Sequence, residues 1–388
     1  MTDEHVTRRP AGIRVLYVID SLTSGGAETS LAHMAPAFRQ LGIELHVAFL
    51  RDRWDVADRL VAGGAHLHPV GVAGGRVRQL LRLVRLIRRL DPDVVHTTLW
   101  EADVIGRTAA AVTRRPSVTT FTGSTHANQT RRALPISKVR AAHFLDALTA
   151  RWASHFQAVS VQVADDMSRI LRIDRSRITV IPRARQRDVL GEPSVERRTR
   201  VRRRLGISNT RPVVLAVARH EYVKGVDVLV DSAAALNRAL PDVLVLVAGR
   251  DGRDSSSLRR TCAEKSLDDV VWMLGTRSDV ADLIVAADVV AVPSRSEGLP
   301  GVVLEAMALE RPVVASNLPA VTEAIGVHAC ALVPVGDSDA LAAALLDCLR
   351  RRHDTERVTA ARARFDLHFA PVPIVQRLLA MYESVIKE

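Results

Sequence analysis

A basic pair follows one of the apolar runs in the second half of the chain. Arg219 and Lys224 stand five positions apart, and Lys224 precedes Gly225. An arginine fork and a lysine point charge can converge across such a loop on a diphosphate. A solvated loop charge is the competing interpretation. Lysine is rare in this sequence, occurring only at positions 138, 224, 265 and 387, so its placement beside a glycine favours the anion site.

Two glutamates lie eight positions apart around the start of a predicted helix. Glu297 precedes the helix, and Glu305 lies about one turn inside it. The backbone amides of residues 298–301, Gly298 and Leu299 among them, suit a diphosphate or sugar hydroxyl groups. Carboxylates in turn accept hydrogen bonds from hydroxyl groups. A solvated helix face would be the usual interpretation of a glutamate pair, but Glu305 lies within an apolar run, which disfavours it.

A glycine pair follows the first apolar run. Gly25 and Gly26 lie where a strand is predicted to turn into a helix, so their amides can approach a phosphate at the positive helix end. The pattern is neither the dinucleotide G-x-G-x-x-G nor the phosphate loop that ends in Gly-Lys-Ser/Thr. A tight turn that needs glycine conformations is an equally good interpretation of the pair alone.

Parallel strands alternating with helices are predicted to position these residues. Short apolar runs without polar alternation are typical of strands buried on both faces. They occupy residues 13–19, 45–50, 94–96 and 118–121, and again residues 213–218, 243–248, 270–274, 289–292 and 313–315. We therefore predict an α/β fold of two doubly wound, Rossmann-like domains, residues 1–190 and 205–370. A helix over residues 371–388 is expected to pack back on the first domain.

The composition limits the function classes. The chain has 388 residues, 47% of them hydrophobic, and 54 lysines and arginines against 43 acidic residues give a net charge of +11. Because most basic residues are arginines across the whole sequence, this charge is weak evidence for a polyanionic partner. Aromatic residues make up 4%, and no nucleic-acid recognition module is present, so we expect no nucleic-acid binding. The polar start and the lack of a long apolar run predict a cytoplasmic protein.

Together the motifs resemble the retaining nucleotide-sugar glycosyltransferases of the family 4 type, which have the two-domain GT-B fold. The resemblance covers nearly the whole chain. Its markers are Gly-Gly-Ala-Glu at 25–28, Arg-x4-Lys-Gly at 219–225, Val-Ala-Gly at 247–249, and the run from Glu297 to Ala308.

The resemblance implies a donor site. Glu305 would hold the nucleotide ribose and Glu297 the donor sugar, whereas Arg219 and Lys224 would bind the diphosphate. Gly298 and Leu299 would add contacts to the donor. Gly25 and Gly26 would approach donor or acceptor near the reaction centre.

The resemblance also implies a histidine beside the donor sugar, after the fifth strand. His126 is the matching residue, and His96 at the end of the fourth strand is the alternative. His96 fits a satisfied core histidine equally well.

The implied reaction is transfer of a hexosyl group from a UDP- or GDP-sugar to an acceptor hydroxyl, with retention of anomeric configuration. The cations and the amides of residues 298–301 would stabilise the charge on the leaving diphosphate. We expect no metal and no other cofactor, because two cations replace the metal. Front-face attack, assisted by the leaving phosphate, explains the lack of a clear carboxylate nucleophile in the first domain.

Two positions depart from the family pattern. Arg183-Ala184 stands where Asn-Gly is usual after Ile-Pro, and Glu310 where a glycine is common. Neither lies in the four motifs, so the chemistry is expected to be intact, and the two departures bear on the identity of the donor and the acceptor.

Two other functions remain open: a nucleotide-sugar epimerase of the same fold, and a catalytically silent homologue that binds the donor without transfer. An epimerase would release nucleoside diphosphate and an epimerised sugar without an acceptor. A dehydrogenase is disfavoured by the glycine spacing.

A basic segment raises the question of a membrane. Over residues 75–90, Arg78, Arg82, Arg85 and Arg89 share one helical face, and leucine, valine and isoleucine form the other. A solvated face is the simpler interpretation. A contact with anionic lipid is the alternative, and would suit a lipid-linked or cell-envelope glycan acceptor. Arg131, Arg132, Lys138 and Arg140 would extend this basic surface.

Overall fold

Buried runs of valine, isoleucine and leucine form two parallel sheets, one in each half of the chain. The structure is a computed structural model that describes residues 12–71, 75–123, 136–351 and 355–387. The strands at the centre of each sheet are buried along their length, which is why their sequences lack polar alternation.

The first sheet has seven parallel strands, β1 (Arg14–Ile19), β2 (Glu44–Phe49), β3 (His66–Pro69), β4 (Val94–Thr98), β5 (Ser117–Phe121), β6 (His155–Ala158) and β7 (Ile178–Val180). Their order across the sheet is β3-β2-β1-β4-β5-β6-β7. The helices between them are α1 (Gly26–Gln40), α2 (Ala57–Ala62), α3 (Gly75–Leu90), α4 (Trp100–Thr113), α5 (Ile136–Ala150) and α6 (Val161–Leu171). The strand order reverses between β1 and β4, and ligands of such sheets bind beyond the carboxyl ends of the strands there.

The second sheet has six parallel strands, β8 (Val213–Val217), β9 (Leu244–Ala248), β10 (Val271–Gly275), β11 (Val289–Val292), β12 (Val313–Ser316) and β13 (Ala331–Val333). Their order is β10-β9-β8-β11-β12-β13, so the order reverses between β8 and β11.

Two helices precede this sheet, α7 (Arg187–Leu190) and α8 (Val195–Arg204). The helices between its strands are α9 (Val226–Ala239), α10 (Ser255–Glu264), α11 (Val280–Ala286), α12 (Gly301–Ala308) and α13 (Pro319–Ile325). Three more follow its last strand, α14 (Ser338–Arg351), α15 (Thr355–His368) and α16 (Pro371–Lys387).

The arginine-rich segment between the sheets is more ordered than its sequence indicates. It has no continuous apolar face, yet its second half forms α8, capped by the Ser194 hydroxyl. Arg202 is completely buried there and donates to Asp288 and to the carbonyl oxygen of Ala286. Hydrogen bonds of a buried arginine side chain thus hold α8 in place, where apolar contacts of leucine side chains would usually do so. Through these contacts α8 packs with the second sheet.

The C-terminal helix α16 crosses to the first sheet. It packs on α1, and its fully buried Tyr382 hydrogen-bonds His96 of β4 at 2.5 Å. None of the helices in the described part of the chain is long and apolar enough to cross a bilayer.

Candidate functional site

The carboxyl ends of the two sheets meet at one junction. Gly298, in the loop after β11, lies so close to the end of β5 that a Cβ there would overlap the carbonyl oxygen of Thr122. Arg183, after β7, donates to that same oxygen at 3.3 Å. The loops predicted to carry the chemistry therefore line one cleft.

The loop after β8 presents the basic pair. Arg219 is exposed, and its guanidinium has no hydrogen-bond or ion-pair partner within the described residues. Lys224 ends a short 3-10 helix, and Gly225 follows in the left-handed conformation at φ +65°. A Cβ at Gly225 would overlap the carbonyl oxygen of Pro293, so only glycine lets this loop reach the one after β11.

Lys224 and Glu297 form an ion pair between these two loops. The Nζ of Lys224 lies 2.7 Å from Oε1 of Glu297, and the Ser294 hydroxyl donates to the same oxygen at 2.7 Å. Both side chains are largely covered, at 24% and 10% exposure. Glu297 therefore fixes the position of the lysine that sequence reasoning assigned to a diphosphate.

The start of α12 carries the other predicted donor residues. Pro300 is the N-cap residue, and the helix begins one residue later at Gly301. No side chain caps this end. Leu299 is buried, at 3% exposure, and packs in the core rather than offering its side chain to a ligand. Its contribution to a ligand would come from its backbone.

Glu305 is held by a residue from the other side of the junction. The Nε of Arg185 donates to Oε1 of Glu305 at 2.8 Å, and the exposure of the two side chains is 2% and 14%. Arg185 also lies against Gly301, where a Cβ would overlap its guanidinium. The pair links the segment after β7 to α12.

The glycine pair begins α1 on the opposite side of the cleft. Gly25 is the N-cap residue, and no side-chain hydrogen bond caps this end of the helix. Glu28 folds back over Gly25 and is buried, accepting from the Thr23 hydroxyl at 3.3 Å. Burial raises the pKa of the Glu28 carboxyl above its ordinary value.

Sequence reasoning missed Arg185 and gave Arg183 no role. The departure from the family pattern after Ile181-Pro182 is Arg183-Ala184, and Arg185 follows it directly, so a signal was available in the Arg-Ala-Arg triplet itself. Ala184 is buried between the two arginines; Arg185 pairs with Glu305, whereas Arg183 donates to the Thr122 carbonyl oxygen.

The two candidate histidines have different outcomes. His126 lies outside the described residues. His96 is completely buried and bonded on both ring nitrogens, to Tyr382 and to the Thr120 hydroxyl, each at 2.5 Å. His96 is thus a satisfied core histidine. Burial lowers its pKa to about 3.

We expect the free energy of unfolding to fall as the pH drops from 7 to 5. The unfolded chain protonates His96 near pH 6.5, whereas the folded protein keeps it neutral until the pH approaches 3. Stability from this group is therefore present above pH 6.5 and lost below it, by about 2 kcal/mol at pH 5. Urea unfolding at both pH values measures the loss.

Two variants isolate this effect. His96→Gln should lose less stability between pH 7 and pH 5 than the wild type does. His328→Gln, at an exposed histidine, should lose as much as the wild type. Equal losses in all three proteins would show that His96 is not the responsible group.

No group of three or more His, Cys, Asp or Glu side chains within the described residues is arranged to hold a metal ion. Among the described residues, Arg183, Arg185 and Lys224 are cations with contacts at the junction, and Arg219 lies on the same loop as Lys224.

Two family models match the chain in order. A model described as Glycosyltransferase Family 4 matches residues 24–188, and one described as Glycosyl transferases group 1 matches residues 211–351. The first contains the glycine pair and Arg183, and the second contains the basic pair and both glutamates.

Curated relatives match over parts of the chain. A D-inositol 3-phosphate glycosyltransferase of Xylanimonas cellulosilytica is 32% identical over 52% of this chain and 51% of its own length. One of the same description from Pseudarthrobacter chlorophenolicus is 27% identical over 78% of this chain and 76% of its own. The chain thus spans about half the length of the first relative and three quarters of the second.

A solved structure shares the fold over almost the whole chain. The Anabaena protein HepE, in complex with UDP and glucose, aligns with a TM-score of 0.80 at 24% identity, over 96% of this chain and 100% of that one. The predicted fold class, two Rossmann-like domains of the GT-B type, is confirmed.

Proposed function

This chain belongs to the group 1, family 4 glycosyltransferases, and on that premise we propose that it transfers a hexosyl group from a nucleoside diphosphate sugar to an acceptor hydroxyl. The observation that carries the proposal is the convergence, at one junction, of the Lys224–Glu297 pair and the Arg185–Glu305 pair, with Arg219 exposed on the same loop as Lys224. The complex of HepE with UDP and glucose supports a UDP-sugar, and a GDP-sugar suits the same cations.

In this proposal the second domain holds the donor. Arg219 and Lys224 bind the diphosphate together with the free amides at the start of α12. Glu305 accepts hydrogen bonds from the ribose hydroxyls, and Glu297 positions Lys224 and meets the donor sugar. The first domain, with Gly25 and Gly26, faces the acceptor.

The proposed reaction breaks the bond between the anomeric carbon and the β-phosphate oxygen. Negative charge develops on that phosphate, and the preorganised cations stabilise it. The acceptor oxygen attacks from the same face, its proton passes to the leaving phosphate, and the configuration is retained. No metal is needed in this scheme, because Arg219 and Lys224 offset the charge that a metal would otherwise neutralise.

Nucleoside diphosphate release in the presence of UDP-, GDP- and ADP-sugars tests this proposal. We expect release from one of them that grows when a lipid or glycan extract supplies acceptor, and a product whose anomeric configuration by NMR matches the donor. Release with an epimerised free sugar and no acceptor dependence would indicate the epimerase. Binding without release would indicate a silent homologue.

We further propose that α3 places the enzyme at the inner face of an anionic membrane, where a lipid-linked acceptor would lie. Leu83, Val84, Leu86 and Ile87 of this helix are buried, whereas the arginines predicted on the other face are exposed. Val77 and Leu81 are exposed beside them, at 71% and 49%. Apolar side chains within a basic face suit a lipid interface better than water. On α5, Lys138 and Arg140 are exposed as well, whereas Arg131 and Arg132 lie outside the described residues.

Removing three of these charges should reduce membrane binding. Because each basic residue near an anionic surface contributes about 1 kcal/mol, changing Arg78, Arg85 and Arg89 to glutamine should lower binding to vesicles about a hundredfold. Flotation with phosphatidylserine-containing vesicles measures this. The matched control changes the exposed Arg169, Arg200 and Arg203 to glutamine. Equal recovery of both variants would leave α3 as an ordinary solvated helix.

A further inference from the structure

Arg183 is a covered cation with unused hydrogen-bond donors in the cleft. It follows β7, and its Nη1 would lie 2.5 Å from a Cβ at Gly26. Its Nη2 donates to the Thr122 carbonyl oxygen. Its Nε is buried without a hydrogen-bond partner within the described residues. A buried donor left unsatisfied is costly, so a group that accepts from it is expected.

The carboxylates near Arg183 do not accept hydrogen bonds from its guanidinium. Glu28 and Glu297 are near enough to favour its charged form, but neither forms a hydrogen bond with it. Glu297 is bonded to Lys224, and Glu28 to Thr23. Burial and the neighbouring Arg185 lower the pKa of Arg183 to about 10, so it stays charged at neutral pH.

The position of Arg183 separates it from the residues assigned to the donor diphosphate. Those residues, Arg219 and Lys224, follow β8 of the second sheet. Arg183 instead follows β7 and contacts Gly26 and Thr122, which belong to the first sheet and its helices. The contacts of Arg183 therefore lie with the side of the cleft that the proposed function assigns to the acceptor.

We propose that Arg183 binds a phosphate or carboxylate group that the substrate carries next to the reacting atoms on the side of the first domain. A guanidinium binds both groups with paired, charge-assisted hydrogen bonds. This inference rests on the proposed function, because that function places the reacting atoms between Gly26 and Glu297. The anionic group belongs either to the acceptor or to the transferred sugar, as in a uronic acid.

The first experiment titrates inorganic phosphate into the protein, alone and saturated with nucleoside diphosphate, at constant ionic strength. We expect the wild type to bind phosphate in both states, since the diphosphate fills only the other subsite. Arg183→Met should bind it at least about tenfold more weakly, and Arg183→Lys should fall between them. Arg169→Met, an exposed arginine on α6, is the matched control and should equal the wild type.

The second experiment identifies the source of the anion by comparing UDP-glucose with UDP-glucuronate. Tighter binding of UDP-glucuronate that Arg183→Met abolishes would place the group on the transferred sugar. Equal binding of the two donors, with phosphate binding still dependent on Arg183, would place it on the acceptor. Both results support the anion site, and thermal unfolding of each variant confirms that it is folded.

Two results would overturn the inference. One is phosphate binding that is absent in the wild type or unchanged in Arg183→Met. The other is an Arg183→Met variant that loses nucleoside diphosphate affinity as strongly as phosphate affinity, which would make Arg183 a ligand of the leaving group. Failure of the proposed function gives a different pattern, because then no nucleoside diphosphate binds the wild type, while phosphate is still measured on the free protein.

Discussion

Lys224→Met is expected to lower kcat/KM for sugar transfer by about a hundredfold to a thousandfold. Lys224 is fixed by Glu297 at 2.7 Å in a covered position, so its charge is preorganised before the donor binds. Removing one preorganised group from the place where negative charge develops typically costs this much. Initial rates at varied donor concentration measure the change.

Two controls separate the loss of the Lys224 charge at the site from the loss of a lysine in general and from the unpaired carboxylate that it leaves on Glu297. Lys265→Met removes another of the few lysines, one that pairs with Asp231 on the surface, and should leave the rate unchanged. The double variant Lys224→Met/Glu297→Gln removes the carboxylate that would otherwise stand without its cation. If the double variant recovers most of the rate, the stranded charge of Glu297 and not the loss of Lys224 explains the defect.

Glu305→Ala is expected to weaken nucleoside diphosphate binding at least about tenfold and also to destabilise the fold. The lost affinity comes from the ribose hydroxyls, whose charge-assisted hydrogen bonds to the carboxylate disappear. The lost stability comes from Arg185, whose guanidinium is almost fully buried and would lose its carboxylate. Breaking a buried pair by removing one partner costs about 3 kcal/mol. Calorimetric titration and urea unfolding measure the two effects separately.

A paired variant distinguishes the two roles of Glu305. Replacing Arg185 and Glu305 together by methionine removes both charges and keeps the volume, so stability should return towards that of the wild type. Nucleotide affinity should stay low. Affinity that returns together with stability would show that Glu305 acts only through the packing of the junction.

The central part of each sheet could be predicted because burial on both faces leaves a direct trace in the sequence. The runs that became β1, β8 and β11 contain almost only aliphatic residues, so no alternative period competes. The strands β6 and β7 were not predicted, because His-Phe-Gln-Ala and Ile-Thr-Val are short and partly polar. Their strand conformation depends on long-range pairing, of β6 with β5 and of β7 with β6.

The site was partly predictable for a similar reason. Motif positions such as Lys224 and Glu297 follow strands directly, so the sheet alone brings them to one edge. Their mutual ion pair and the Arg185–Glu305 pair join segments 73 and 120 residues apart in sequence. A local sequence pattern cannot predict which residues so far apart in the sequence form an ion pair. The anchoring of α8 by Arg202 was hidden likewise, since a fully buried arginine looks like a surface residue in the sequence.

Thermal unfolding with UDP, GDP and ADP, each at about one hundred times its expected Kd, tests the central claim most directly. A ligand that binds only the folded state stabilises it by about 2.7 kcal/mol at that concentration. We predict that the unfolding midpoint of the wild type rises with at least one of them, and that the rise is about half as large or smaller in Glu305→Ala, whose affinity is at least about tenfold weaker. A midpoint that none of the three nucleotides, nor any of their sugar conjugates, raises would contradict the account.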